Sequence, residues 1–592
     1  MSQSIAELCK GQIGRVRARF LAPESEISKK VYKDACTRPS ILYLARGSYG
    51  LSEMIEKTTE YEEAYAYIES QRLDFSATLK ESNVGWGLRL PDEMCKHYTE
   101  SELHIFDLNY KQKLSVAIGV SLPEPPYLDL SLCPQDKRGA LVYVKVTPNK
   151  SLVNAGRYCR SKLKEIDEAH LHEDPNWMKI VQVMLSPMNG EQPVYEDPLR
   201  RSSLPTTFAA DKFRNEAIAR ILALKTKPLP AMRPFIVDTC VWSGEIDWLA
   251  RLMEKIIGVP EVVCPDSETV KIVNNMLEDL PDSAAVAHTP ADSHSSNADY
   301  VIFYKAQLIT LAEAVQTLHK MGTPILSDAR VILIGGMKMP NLRVRCREVR
   351  DTCGSVLDWF HDKRRYPEYF QKDSPYIVRC TVSVGYHSSI FEEFKSYYEY
   401  QLDYVDRSLV SNAIDRESLL IKPIAGSVTA GLCSPCNRQE AEACVKRIQE
   451  MIDANIDKRR IGVLTTYCGQ KSLINQLSRG SQCRVFIGVL DDFIDDVYDY
   501  LIISTVETAE RVAKVRQYPS DDLLSDLCCA YMALTRGVRH ITLIGDPDML
   551  RGKDPWRWLL DKCNQVEPRK GYFARHMQRI RKSLRRVRNC DS

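Results

Sequence analysis

IGVLTTYCGQ (461–470), DYLIISTV (499–506) and HITLIGDPDML (540–550) are three short apolar runs, each closing on Thr, Ser, Gly or Asp. Runs of four or five apolar residues bounded by turn formers read as strands buried on both faces, the kind found in parallel sheets. Helix-like stretches flank them: EAEACVKRIQEMI (440–452) before the first run and DLCCAYMAL (526–534) before the last. Strands alternating with helices at this spacing predict βαβ units and an α/β fold.

The same alternation starts upstream at Phe208. PFIVD (234–238), EVVC (261–264), YVIF (300–303) and RVILIGG (330–336) are the strand-like runs. WLARLMEKII (248–257), VKIVNNMLEDL (270–280) and AEAVQTLHKM (312–321) are the helices between them. An irregular, tyrosine-rich middle (355–410) separates the two halves. Farther upstream, residues 101–147 are strand-rich, with Pro and Gly turns, and a polar Pro-containing linker spans Pro187 to Pro205. A helix is expected from Ser52 to Arg72. The expected organisation is an N-terminal region (1–92), a stalk and β-barrel-like domain (93–205), two α/β domains (206–354 and 355–565) and a basic tail (566–592). At about 150 residues per domain, that partition suits a chain of 592 residues.

Composition narrows the class. Hydrophobic residues make up 44% and charged residues 27%, the mixture of a folded globular protein and not of a disordered one. The longest apolar runs, Val331–Ile334 and Tyr500–Ile503, are strand-length, so no membrane span is expected. The start, MSQSIAELCKGQIGR, lacks an apolar signal core, and the 19 scattered cysteines read as reduced thiols in an intracellular protein. The lone CxxC, Cys433 and Cys436, supplies half of a tetrahedral shell, and no metal is expected. The net charge of +2 conceals an asymmetry. Nine Lys or Arg and no acid lie between Arg569 and Arg588, leaving a net −7 on the rest of the chain.

VLDDFIDDVYDYLIISTV (489–506) and AYMALTRGVRHITLIGDPDML (530–550), with IGVLTTYCGQ, resemble the last three motifs of superfamily-one RNA helicases. The family forms run roughly "GVISPYRxQ", "VDSFQGxExDxIIxSTVR" and "NVAxTRAKxxLxIxGDPxLL". GDPDMLRGKDPWRWLLDKC (545–563), GLCSPCNRQEAEACVKRI (431–448) and KSYYEYQL (395–402) are similar to segments of the Armitage and Moloney-leukemia-virus-ten-like branch. In that register RPFIVDTCVWSGEIDWLARL (233–252) stands at the phosphate loop, YVIFYKAQLITLAEAV (300–315) at the "DEA" motif and RVILIGGMKMPNL (330–342) at the third motif. The resemblance covers about residues 100–565. It implies two RecA-like parallel-sheet domains, a P-loop NTPase helicase core, preceded by a small β-barrel and stalk domain.

The departures fall on the chemistry. The family's glycines let backbone N–H groups face phosphates, its lysine reaches the β- and γ-phosphates, and its Ser or Thr holds Mg²⁺. Here Gly244 persists, Glu245 replaces the lysine and Ile246 replaces the hydroxyl. Two unit charges 4 Å apart interact by about 4 kcal/mol at an effective dielectric of 20, and the exchange turns that attraction into repulsion. Tyr304 and Lys305 stand where the family has its magnesium-binding Asp and water-activating Glu; Gly336 and Met339 replace the Asp and Gln of the third motif. Cys468 replaces a phosphate-contacting Arg, while Arg536, at the arginine-finger position, persists as a relict. The resemblance with these losses implies a pseudo-helicase without nucleotide cofactor or metal.

What such a scaffold binds is read from two places. Matching motif positions nominate Ser267, Thr465, Thr466, Tyr467, Ser504 and Thr505 as contacts to single-stranded RNA. RKGYFARHMQRIRKSLRRVR (569–588) puts Arg575, Arg579, Lys582 and Arg586 on one helical stripe and Met577, Ile580, Leu584 and Val587 on another. Such a stripe suits RNA phosphates, an acidic protein partner, a nuclear-import signal or a membrane surface. The resemblance implies a silencing context: Argonaute or Piwi proteins as partners in cytoplasmic ribonucleoprotein granules, with a nuclear location as the alternative that the tail offers. The alternatives in function are a protein-interaction scaffold without RNA affinity and an active helicase with a divergent ATP site.

Overall fold

A computed structural model of the chain describes residues 54–63, the strands and one helix between 75 and 165, a helix at 209–223, and most of 234–564. Within the last stretch, 241–244, 281–284, 323–328, 395–402, 406–417, 479–483 and 509–523 are among the residues outside that description, as is everything after 564. Two compact units divide the chain: Met1–Ile414 with Ala430–Ser434, and Asp415–Thr429 with Pro435–Ser592.

The first unit opens with helix α1 (54–63), followed by strands β1 (Phe75–Thr78), β2 (Lys80–Ser82), β3 (Gly85–Arg89), β4 (Glu102–Asp107), β5 (Lys113–Ile118), β6 (Tyr127–Asp129) and β7 (Leu141–Thr147). They form two antiparallel sheets, in the orders β1-β7-β4-β5 and β2-β3-β6. The strand-rich reading of 101–147 matches the second half of this array; a closed barrel is not seen among the described residues. β1 pairs with β7, so the first sheet joins sequence on both sides of residue 92. Helix α2 (Ser151–Glu165) follows β7, and α3 (Ala209–Ala223) comes after the linker.

A six-stranded parallel sheet then builds the main body of this unit. Its parts are β8 (Phe235–Asp238), α4 (Glu245–Met253), β9 (Pro260–Val263), α5 (Ser267–Glu278), β10 (Val286–His288), β11 (Tyr300–Tyr304), α6 (Leu311–Met321), β12 (Arg330–Gly335), α7 (Val356–Phe360) and β13 (Ile377–Arg379). The order is β10-β9-β11-β12-β8-β13, every pair parallel. Each residue of β8, β9 and β11 is buried, as the continuous apolar runs require of strands covered on both faces. Helix starts are locally encoded. Asp266 caps α5 through Thr269 N, and Thr310 with Glu313 makes a capping box at α6.

The sequence pattern places the change of domain near residue 354, but β13 and α7 complete this first sheet and its core. The pattern misses them because β13 has only three residues, too few for a period to register. α2 lies along α6: Cys159 Sγ donates to the Ala312 carbonyl at 3.4 Å, and Tyr158 Oη is 2.8 Å from His319 Nδ1. α1 in turn meets α2 where Gly156 leaves room for Thr59, and Glu63 accepts from Arg157 Nε at 2.7 Å.

The second unit repeats the scheme with β14 (Ser418–Pro423), α8 (Arg438–Asp453), β15 (Ile461–Thr465), α9 (Cys468–Ser478), β16 (Phe486–Val489), β17 (Tyr498–Ser504), α10 (Leu527–Leu534), β18 (Gly537–Gly545) and α11 (Trp556–Asn564). Its five parallel strands run β14-β18-β17-β15-β16. α8 packs Ala441, Cys444, Ile448 and Met451 onto Ile461, Val463 and Ile502. Two parallel α/β sheets are the RecA-like pair that the motifs imply.

α11 closes the second unit through Trp556, fully buried, with Leu559 and Leu560 beside it. Truncating a buried aromatic of this size costs about 3–5 kcal/mol. Trp556→Ala is therefore expected to lower the unfolding midpoint of residues 415–592 in denaturant, while exposed Arg557→Ala leaves it within about 0.5 kcal/mol.

Candidate functional site

In open parallel sheets, loops at the carboxyl ends of the strands gather where the strand order reverses. β8 is such a place: it lies between β12 and β13, although β9 follows it in the chain. Thr239 N donates to the Gly335 carbonyl at 3.0 Å, and Asp238 Oδ1 accepts from Met337 N at 3.0 Å, so the ends of β8 and β12 are laced together. Gly336 permits the approach. A methyl there would sit 2.9 Å from the Thr239 carbonyl oxygen and press on Met339.

Helix α4 begins at Glu245, the position of the phosphate-binding lysine in the family form. The unpaired N–H groups and partial positive charge of a helix start attract an anion. Here Glu245 supplies the carboxylate itself, and its Oε1 accepts the hydroxyl of Thr239. Ile246, half-buried, carries no group for a metal. Gly244 lies outside the described residues.

At the end of β11, Tyr304 and Lys305 are both buried. Lys305 has φ 53, the left-handed region, and its ammonium lies 5.9 Å from the centroid of the Tyr304 ring. The same ammonium acts on Cys264 at the end of β9, whose thiol is pushed up to about 12 chiefly by burial. A magnesium nucleotide needs a cation at the helix start and carboxylates at the end of the facing strand. This chain has a carboxylate at the first place and a phenol and an ammonium at the second. The residues present do not fit the group. Among the described residues no cluster of three His, Cys, Asp or Glu could hold a metal.

In the second unit the corresponding strand ends carry a hydrogen-bonded loop, 504–508. Val506 has φ 65 and is fully buried, and Glu507 N donates to the Thr505 carbonyl at 2.6 Å, closing a three-residue γ-turn. A β-branched residue in this conformation costs on the order of 1–3 kcal/mol and persists only where its surroundings over-determine it. The surroundings here are Asn437, Glu440 and Gln470. Glu440 Oε2 accepts Val506 N and Ser504 Oγ, each at 2.8 Å. Gln470 Nε2 donates to Ser504 Oγ at 3.0 Å and to the Asn437 carbonyl at 3.1 Å, while its Oε1 accepts Asn437 N at 2.8 Å. Asn437 Nδ2 reaches the Val506 carbonyl at 3.4 Å. From the neighbouring strand, Thr466 Oγ1 donates to the Thr505 carbonyl at 3.2 Å and Tyr467 Oη to Glu507 Oε1 at 2.6 Å.

This arrangement locates the nominated residues. Ser504, Thr505 and Thr465 are fully buried, and the Ser504 hydroxyl is spent on Glu440 and Gln470. Thr505 Oγ1 faces the Ile544 carbonyl at 3.5 Å; Thr465 Oγ1 is buried without a hydrogen-bond partner among the described residues. Thr466 and Tyr467 are half-buried, and Ser267 is exposed at the first turn of α5. Arg536 is 3% exposed, with Nε donating to the Met532 carbonyl at 3.0 Å. Arg575, Arg579, Lys582 and Arg586 lie outside the described residues. Motif matching alone did not nominate Asn437 and Glu440, although both lie in the 431–448 segment that is similar to the Armitage branch. That was the available signal.

Comparison with known proteins finds likenesses for the second unit. Residues 423–548 match the family model of an AAA domain. Curated relatives align over a similar length. One is the regulator of nonsense transcripts 1 homolog of Arabidopsis thaliana, 27% identical over 147 residues, 24% of this chain and 11% of that one. Another is the ATP-dependent helicase upf1 of Schizosaccharomyces pombe, 27% identical over 145 residues, 23% and 14% of the two chains. Over these residues the second unit is similar to helicases. The 3'-5' exoribonuclease HELZ2 of Mus musculus is 32% identical over 142 residues, 22% of this chain and 5% of its own. The chain thus spans between 5% and 14% of the length of these relatives. Among solved structures, the arterivirus nonstructural protein 10 helicase is similar at 10% identity over 81% of this chain and 78% of that one, with a TM-score of 0.36. Among the described residues no helix is long and apolar enough to cross a membrane.

Burial pushes the Glu440 carboxyl up to about 8, against the opposing pull of its bonds from Val506 and Ser504. A carboxyl whose folded pKa is raised binds more protons folded than unfolded, so stability falls as pH rises from about 4.5 through about 8. Chemical denaturation of the protein at pH 5, 6.5 and 8 is expected to show that decline in the second unit. Glu440→Gln, isosteric with the protonated acid, is expected to flatten it.

Proposed function

We propose that this chain is a catalytically inactive superfamily-one helicase-like protein that serves as an RNA-binding or ribonucleoprotein scaffold. The observation that carries the reading is Glu245, which stands as the first residue of α4 with its carboxylate hydrogen-bonded to Thr239. The positive end of α4 is neutralised by the chain's own anion. A nucleotide phosphate brought there meets repulsion where the family offers lysine. Tyr304 and Lys305 add to it, because neither holds magnesium nor takes a proton from water as the family's carboxylates do. Arg536 is then a finger with no phosphate to stabilise.

The RNA part of the reading is supported by the helicase-type second unit and by the charge of residues 569–588. Lys and Arg that neutralise phosphates give sequence-independent affinity that falls steeply with salt. Argonaute- or Piwi-type partners, small-RNA silencing and cytoplasmic granules follow from the resemblance to the Armitage branch. A second reading, a protein-interaction scaffold without intrinsic RNA affinity, is favoured by one observation: Thr465, Ser504 and Thr505 are turned into the fold.

Purified protein is expected to show no RNA-stimulated ATP hydrolysis in a coupled phosphate-release assay, and the Glu245→Lys, Ile246→Thr double variant is expected to stay inactive because Tyr304 and Lys305 persist. Turnover by the unmodified chain that disappears in Arg536→Ala would overturn the inactive reading. For RNA, binding of a uridine oligonucleotide at 50 and 200 mM salt is expected to weaken by at least about tenfold, with a shallower dependence once residues 569–592 are removed. An absence of binding at both salts selects the protein scaffold.

A further inference from the structure

At the carboxyl ends of β8 and β13 two sulfurs meet. Cys240 lies two residues past β8, and Cys380 comes directly after β13. Arg379 is level with Asp238 in the parallel ladder, and Cys380 N donates to the Asp238 carbonyl at 2.8 Å. The two segments therefore still run side by side where the strands end. There the Cys240 and Cys380 Sγ atoms are 3.9 Å apart, and both residues are reduced. Neighbouring strands lie about 4.8 Å apart, inside the roughly 4.4–6.8 Å of Cα separation that a disulfide accepts. A bond at about 2.05 Å asks the sulfurs to close the remaining gap, a movement that two χ1 rotations can share.

The surroundings select the oxidant. Cys240 and Cys380 are 0% and 1% exposed, which disfavours a bulky reagent such as glutathione disulfide and favours a small uncharged peroxide. A sulfenic acid formed on either sulfur has a second thiol at contact distance, so it is captured before further oxidation. The position gives the bond a consequence. Thr239, the next residue back from Cys240, holds both the Gly335 carbonyl and the Glu245 carboxylate. A bridge from Cys240 to Cys380 adds a covalent tie to β13 where the chain leaves β8 for α4.

We propose that Cys240 and Cys380 are a modification site, a thiol pair that hydrogen peroxide converts to a reversible disulfide. One sulfur, as thiolate, attacks a peroxide oxygen; the O–O bond breaks, and the departing hydroxide takes a proton to leave as water. The other sulfur then attacks the sulfenic sulfur, the S–O bond breaks and a second water leaves. In sum two S–H bonds are lost, one S–S bond forms, and the peroxide takes up two electrons. The reaction needs neither RNA nor nucleotide, so it stands apart from the scaffold reading.

The test uses the full chain, reduced with dithiothreitol, desalted and treated with hydrogen peroxide. Remaining thiols are blocked with N-ethylmaleimide in denaturant, and the chain is digested without reductant. Mass spectrometry is expected to find a peptide joining Cys240 to Cys380, lighter by two hydrogens than its reduced parts and separated again by dithiothreitol. Hydrogen exchange across 235–240 and 376–380 is expected to show the oxidised chain opening at higher denaturant, because a cross-link that closes a long loop restricts the unfolded chain. Cys380→Ala is expected to abolish that shift. Both cysteines fully blocked by N-ethylmaleimide after peroxide, either one joined to a different cysteine, or either one carried singly to sulfinic acid would overturn the pair. So would a shift that persists in Cys380→Ala. The peptide map is read on the unmodified chain, so it decides the matter even where the variant fails to fold.

Discussion

Two parallel sheets with both faces covered set the terms for everything else in this molecule. A strand buried on both faces must satisfy its backbone inside the ladder, so it carries an unbroken apolar run and returns to the same edge only through a helix. That rule places every strand-to-helix loop at one end of each sheet. It brings Asp238, Thr239, Tyr304, Lys305 and Gly336 together although nearly a hundred residues separate the first from the last. It also leaves the strand starts as a second surface under no such demand.

At the first sheet the strand ends carry a carboxylate at one place and an ammonium at another. A carboxylate occupies the helix start, where the backbone dipole favours an anion, and it is bound by Thr239. An ammonium occupies the strand end, folded back over Tyr304 in a left-handed residue.

The second sheet uses the equivalent loop differently. Asn437, Glu440 and Gln470 are buried and each makes several hydrogen bonds, which together hold Val506 in a conformation that it would leave if free. Ser504 and Thr505 are absorbed into that network. The strand runs and helix starts around them were legible because burial on two faces and capping leave marks in the sequence: unbroken apolar runs, Asp266 before α5, Thr310 with Glu313 at α6. β13 was not, since a three-residue strand has no period, and neither was the inward turn of Ser504, since a hydroxyl at a strand end reads alike whether it faces solvent or Glu440.

By itself the sequence determined the class of fold and the order of its elements, because each of these is carried by neighbouring residues: an apolar run, a cap. Only the tertiary structure decided that Glu245 is bonded to Thr239, that β13 belongs to the first sheet, that Glu440 holds the 504–508 loop, and that the Phe486 and Tyr498 rings stack. Apart from the Glu245–Thr239 bond, these are relations between segments that lie apart in the chain. They depend on which strands lie side by side, and strand order is set by the packing of whole sheets and helices, which no local pattern records.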